Sequence, residues 1–158
     1  MKKITEILGL KEKESKEVAA KLNDLLASFQ VYYQNLRGFH WNIKGDKFFV
    51  LHSKYEELYD DAVVKIDEIA ERILTIGETP LHTFSDYIEN SKIEPAKDKC
   101  DAASTMAITL DNIAELIKIE REVLEIAEKA EDEGTMALAS DYISEQEKLV
   151  WMLHSFMK

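Results

Sequence analysis

The sequence predicts an all-α fold: a four-helix bundle with a short extra helix in the connection between the second and third long helices. Three observations carry that prediction. The 158 residues include only five Gly and two Pro, too few turn formers for a fold of many short elements. Apolar residues recur at steps of three and four over four long stretches, as in helices that bury one face. Between the second and third stretches lies a long connection, residues 78–97, enough chain to bring the third helix back to the far end of a bundle.

The elements follow in order. Residues 1–16 read as a short lead-in in which Lys2, Lys3, Lys11, Lys13 and Lys16 are interleaved with Glu6, Glu12 and Glu14, so no basic block forms. The first long helix takes its seam from Val18, Leu22, Leu25, Phe29, Tyr32, Leu36 and Phe39 and ends near Trp41. Lys44-Gly45-Asp46 is the turn, with Asp46 predicted to N-cap the next helix. That second helix runs from Phe48 to Gly77 on Tyr55, Tyr59, Ala62, Ile66, Ile69, Ile73 and Ile76, and Gly77 and Pro80 stop it. Residues 83–90 make the short extra helix, and Pro95 closes the connection. The third long helix, about 98–130, carries Ala103, Met106, Leu110, Ile113, Ile117, Leu124 and Ala127. Glu120 falls where its stripe predicts an apolar residue, and either points sideways to solvent or faces a polar cavity. An acidic turn, residues 131–134, leads to the last helix, with Ala139, Tyr142, Gln146, Leu149, Leu153 and Phe156 inward. No repeat divides the chain, so residues 1–158 read as one domain.

Composition narrows the function classes. No apolar run reaches the ~18 residues of a membrane span, and no apolar region follows the N-terminal lysines as in a secretory signal. A lone Cys100 offers no disulfide framework and fits a reducing, cytoplasmic setting. The net charge of −11 works against direct DNA binding, which depends on Lys and Arg neutralising phosphates, and favours attraction of cations.

The chemistry-bearing residues are His40, His52, Glu56, Asp67 and Glu71. His52/Glu56 and Asp67/Glu71 are i,i+4 pairs, each on one helix face and each able to hold a metal from adjacent turns. The pairs lie about 22 Å apart along a helix rising ~1.5 Å per residue, so one copy of the helix cannot bring both to one ion. At 100° per residue they are offset by only about 60°, and they border the apolar stripe, where an unpaired carboxylate is costly. Two copies of the second helix, crossing antiparallel about a two-fold axis near residues 61–62, would bring His52/Glu56 of one chain to Asp67/Glu71 of the other and make the site twice. His40 would add a further nitrogen. This donor set suits iron or zinc better than magnesium or calcium. None of the four His has a Glu three residues before it, which excludes the Glu-x-x-His di-iron centre built within a single bundle. His82 and His154 have no ligand partner and read as surface or packing residues.

The run Phe39-His40-Trp41-Asn42-Ile43, then Phe48-Phe49 and Leu51-His52, Tyr59, and Asp67-Glu68-Ile69-Ala70-Glu71-Arg72 resembles the signature of the Dps family, the mini-ferritins named as DNA-binding proteins from starved cells. The resemblance extends over essentially the whole chain, to Val150-Trp151-Met152 and Ser155-Phe156. It implies a ferritin-like bundle assembled as a hollow dodecamer of tetrahedral symmetry. Its ferroxidase centres would lie at two-fold interfaces, with His40, His52 and Glu56 from one subunit and Asp67 and Glu71 from its partner. It implies oxidation of Fe(II), with hydrogen peroxide preferred to oxygen, storage of a ferric mineral and protection from oxidative damage. It also implies an acidic iron pore on a three-fold axis, for which Glu128, Asp132 and Glu133 are the candidates. Zinc is the redox-silent substitute for iron at such ligands.

Two features depart from the family pattern. Glu56 stands where the family often has Asp, which keeps the carboxylate and changes its reach. The mixed-charge lead-in is unlike the lysine-rich tails of members that bind DNA directly, so direct DNA binding is expected to be weak or absent. Trp41, next to His40, packs at a helix end and is placed to donate an electron if oxidation proceeds singly.

Overall fold

In the computed structural model, which describes residues 2–158, the described residues form six helices and no strand. These are α1 (Ile4–Leu8), α2 (Glu12–Asn42), α3 (Phe48–Thr75), α4 (Phe84–Asn90), α5 (Ala102–Lys129) and α6 (Glu133–Phe156). The four long helices and the short α4 are the predicted elements. The predicted lead-in, apart from Met1, which lies outside the described residues, contains α1 and the opening of α2. α2 starts ahead of its apolar seam because its first turns are held by charge: Lys3 and Lys16 donate to the Glu12 carboxylate at 2.6 and 3.1 Å.

Bonds at the helix ends set the topology. The Lys44 N–H donates to the Cys100 carbonyl at 2.8 Å, bringing the end of α2 to the start of α5. Lys21 near the start of α2 pairs with Glu122 near the end of α5 at 2.9 Å. Arg72 and Lys65 of α3 pair with Asp132 and Glu145 at the start and middle of α6. α2 is therefore antiparallel to α3 and α5, and α6 is antiparallel to both of those. That order requires one long crossover, as in ferritin-like bundles. Among the described residues no helix is long and apolar enough to cross a membrane.

The crossover is tied along α2 by polar side chains of that helix, one of which, Ser28, also donates its hydroxyl to the Asp24 carbonyl at 2.8 Å. Asn23 Oδ1 accepts from the Leu81 N–H (2.8 Å) and Ser28 Oγ from the Lys92 N–H (3.0 Å). The Asn35 amide does both jobs at once: its Nδ2 donates to the Glu94 carbonyl (3.0 Å) and its Oδ1 accepts from the Ala96 N–H (2.8 Å). Asn35 itself is buried, so its amide relies on these two loop groups for its hydrogen bonds. Asn35→Ala should cost about 1–3 kcal/mol, the desolvation of groups left unpaired, read as a lowered denaturant midpoint at unchanged slope.

Three boundaries refine the sequence reading. Asp46 does not cap α3. The capping position is Lys47, with no side-chain bond, because the turn closes through its own backbone, Phe48 N–H to Gly45 carbonyl at 3.1 Å. α5 begins at Ala102 and not at 98, because Asp98 adopts φ +59° and Asp101 is the cap, accepting from the Ser104 N–H at 2.9 Å. α3 ends at Thr75, and Gly77 turns the chain at φ +91°. A Cβ on Gly77 would also lie 2.6 Å from Ile4 Cγ2, so the glycine both stops α3 and makes room for α1.

The core runs the length of the bundle on the predicted seams of α2 and α3. On α5 the predicted Ala103 is exposed, and Leu116, Ile119 and Val123 are buried where Leu110, Ile117 and Leu124 are only half-buried. Phe156 at the end of α6 is exposed. Phe29 meets Tyr32 and Tyr142 edge-on at 6.2 Å, and Phe39 packs on Tyr55 at 5.5 Å. The buried Tyr55 hydroxyl donates to Thr105 Oγ1 at 2.8 Å. Packing at this end of the bundle holds the last turn of α2 against the first turns of α3.

Candidate metal centre

His40 lies in the last turn of α2 and His52 in the second turn of α3, and the short turn between them folds the two rings together. They stack with centroids 3.7 Å apart and planes inclined by 19°. Their bonds are reciprocal: His40 Nδ1 contacts the His52 carbonyl at 2.7 Å, and His52 Nδ1 contacts the His40 carbonyl at 2.8 Å. A carbonyl oxygen only accepts, so both Nδ1 atoms carry the proton. In the neutral rings both Nε2 atoms therefore keep a free lone pair. This second-sphere arrangement, a ring N–H held by a backbone carbonyl, fixes tautomer and orientation for metal ligation. Phe48 stacks on His52 at 5.1 Å and Tyr59 meets the His40 ring edge-on at 5.3 Å.

The carboxylates stand apart from this pair. Glu56 is one turn beyond His52 and exposed; Asp67 and Glu71 lie further along α3 and are exposed. Among the described residues, no three His, Cys, Asp or Glu side chains come together to hold an ion. A single chain thus unites His40 with His52 and leaves the Asp67/Glu71 pair elsewhere. The expectation that these carboxylates sit at a costly core edge is corrected: in one copy they are solvated and carry no burial penalty. Val63 and Val64, between the two ligand pairs, are exposed as well.

Several neighbours were not legible as site residues. The Arg37 guanidinium lies over the Trp41 ring at 4.7 Å and over Tyr33 at 5.3 Å. Tyr33 meets Tyr59 edge-on at 6.1 Å. The i,i+4 spacing of Tyr33, Arg37 and Trp41 on one helix face was the available signal. Trp41 is exposed and covered by Arg37 instead of packed at the helix end.

The three pore candidates divide. Glu128 and Glu133 are exposed at the end of α5 and the start of α6. Asp132 is 3% exposed and turned inward. Its carboxylate takes a bond from Arg72 Nη2 at 2.5 Å and caps α6 by accepting from the Thr135 N–H (3.1 Å) and hydroxyl (2.6 Å). Arg72 Nε donates to the same Thr135 hydroxyl at 2.9 Å. Asp132 is thus not on an exposed acidic ring, because the ion pair and the cap use its oxygens. His82 and His154 are exposed, as the lack of ligand partners suggested.

Comparison with known proteins accords with this architecture. The family model for the ferritin-like domain matches residues 19–158. The DNA protection during starvation protein of Porphyromonas gingivalis is 48% identical over 156 residues, covering 99% of this chain and 98% of the relative. A Dps crystal structure from Vibrio cholerae O1, described as a member of a broad superfamily of ferritin-like diiron-carboxylate proteins, matches with TM-score 0.93 and 50% identity over 94% of each chain. Dps from Bacillus brevis matches with TM-score 0.91 and 35% identity, covering 94% of this chain and 100% of that one. With its crossover bundle and these relatives along nearly its whole length, the chain belongs to the Dps family of ferritin-like proteins.

Proposed function

We propose that this protein is a ferroxidase that oxidises Fe(II), with hydrogen peroxide preferred to oxygen, and stores the ferric product inside a hollow dodecamer in the cytoplasm. The observation that carries the reading is the reciprocal His40–His52 lock, which presets two nitrogen lone pairs before any ion arrives. Glu56 supplies a carboxylate from the same chain, and Asp67 and Glu71 of the partner subunit complete the site across a two-fold axis near residues 61–62. The exposure of Glu56, Asp67, Glu71, Val63 and Val64 along α3 supports that face as the shared one.

Fe(II) and peroxide are the substrates. Two Fe(II) ions give up one electron each, one peroxide accepts both, and its O–O bond breaks without release of a one-electron oxygen radical. The neutral imidazoles suit Fe(II), and the hard, anionic carboxylates favour the Fe(III) product. Hydrolysis of Fe(III) then releases protons. Rings of Glu128 and Glu133 around a three-fold axis would concentrate Fe(II) at the way in. Zinc would occupy the same donors and block oxidation, being redox-silent. The −11 charge and the alternating charges of the lead-in favour protection by consuming iron and peroxide over direct contact with DNA.

Stopped-flow measurement of Fe(II) oxidation tests this on protein whose assembly has been checked by light scattering. Fe(II) should disappear at two ions per peroxide, faster than with oxygen alone, and added zinc should suppress the rate. Fe(II) loss no faster than in protein-free buffer would reject the ferroxidase reading in favour of a structural bundle or a zinc-filled site.

A further inference from the structure

Glu120, which interrupts the apolar stripe of α5, is fully buried. Its Oε1 accepts a bond from Gln146 Nε2 on α6. The remaining polar atoms of the same two groups, Glu120 Oε2 and Gln146 Oε1, are both buried without a partner. As a carboxylate, Glu120 would leave two acceptors with no donor within the pair, an arrangement that native cores avoid. The other buried atom without a partner among the described residues, Asn112 Nδ2, is a donor eight residues earlier on α5, about 12 Å along the helix. A proton on Oε2 supplies the missing donor, and a carboxylic acid and a carboxamide are matched for two reciprocal hydrogen bonds.

The nearby cations are each already engaged by other carboxylates and offset an ionised Glu120 only in part. On α3, Lys65 is held by Asp61 at 2.6 Å and Glu145 at 2.8 Å. On α5 itself, Arg121 is paired with Glu147. On α6, Glu145 repels a carboxylate at this position, and the Tyr142 hydroxyl is donated to Glu68 at 2.6 Å. On α2, Lys21 joins Asp24 and Glu122. We propose that Glu120 is carried in the core as a neutral carboxylic acid bonded to Gln146 across the α5–α6 contact, and that loss of its proton loosens that contact.

Burial, the largest influence, pushes the Glu120 carboxyl up to about 8, against Gln146, Lys65 and Arg121, which act to lower it. A folded-state value raised above the unfolded 4.5 gives stability that is complete below the ordinary carboxyl range and lost as pH rises through about 8. At tenfold per pKa unit, the unfolding equilibrium should shift by about a thousandfold across that window. The device therefore favours the folded bundle in acid and weakens it in alkali.

The test is infrared spectroscopy of the assembled, full-length protein. A protonated-carboxyl C=O band should be present at neutral pH, titrate away near pH 8, and be missing in Glu120→Gln. That variant replaces the acid with a carboxamide of the same shape, so its denaturation midpoint should lose pH dependence in this window and exceed that of the parent at high pH. Absence of a protonated-carboxyl band at neutral pH in the parent protein would overturn the proposal, even if the variant failed to fold. A Glu120→Gln profile parallel to the parent's would do the same.

Discussion

His52→Ala should slow Fe(II) oxidation by about a hundredfold while leaving the oligomer intact. Losing even an outer partner of a metal ligand typically costs 10–100-fold, and His52→Ala removes a proposed ligand itself, the Nε2 left free by the Nδ1 contact to the His40 carbonyl. The backbone carbonyl that holds the His40 Nδ1 proton survives the substitution, so His40 keeps its tautomer and the loss isolates one ligand. Asp67→Ala should have a comparable effect from an exposed position that contributes little to folding. The two variants also test each other. After demonstrated subunit exchange at equal amounts, a mixed two-fold pair has one site with both defects and one with neither. Random pairing therefore restores a quarter of the sites, and exclusive mixed pairing restores half. No recovery after exchange would reject ligation across the interface, whatever becomes of the ferroxidase activity itself.

Asp132→Ala should be the most damaging single change to stability outside the apolar core. Removing one member of a buried, hydrogen-bonded ion pair costs about 3–5 kcal/mol, because the remaining charge is left uncompensated. Here Arg72 would lose its carboxylate, and α6 would lose the side chain that accepts from Thr135. Asp132→Asn keeps an acceptor for the cap and should recover part of the loss. Gly134 reinforces the constraint, since a Cβ there would lie 2.8 Å from Arg72 Nη1. Chemical denaturation at fixed protein concentration measures the effect, and near-parental stability of Asp132→Ala would show the pair to be unimportant. The proposed admission of iron at a three-fold axis is accordingly better tested on Glu128 and Glu133. Neutralising those two should slow uptake most at low ionic strength without a change in stability.

The difference between these sites explains what could be read from the residues alone. Periodicity reports which face of a helix is buried, so the seams of α2 and α3, most of that of α6 and the turns of α4 were legible. The α5 stripe was read partly off the buried face, missing Leu116, Ile119 and Val123. It does not report what meets a polar residue on that face. Glu120 was therefore undecidable until Gln146, on a different helix, was seen to bond it. Asp132 looked like one more residue of an acidic turn, because nothing local announces that Arg72, sixty positions earlier, reaches it. The Asp46 cap failed for a related reason: a residue suited to capping is not used when the backbone of the turn already satisfies the first donors. At the proposed metal centre, the i,i+4 pairs and the twelve-residue step from His40 to His52 pointed to the candidate ligands. Their exchange of ring N–H for backbone carbonyl depends on two helix ends meeting, which spacing cannot convey.

The crossover tied along α2 by Asn23, Ser28 and Asn35 has one more consequence. It makes the molecule two helical hairpins joined by a strap, and the labour is divided unequally between them. His40, His52, Glu56, Asp67 and Glu71 all belong to the hairpin of α2 and α3, while that of α5 and α6 contributes no proposed ligand. The second hairpin is thus open to redesign, provided Asp132, Gln146 and Glu145 still meet their partners and the proposed pore residues Glu128 and Glu133 are kept. A chain nicked within the strap should remain a noncovalent pair of halves, with the reactive chemistry carried wholly by the first.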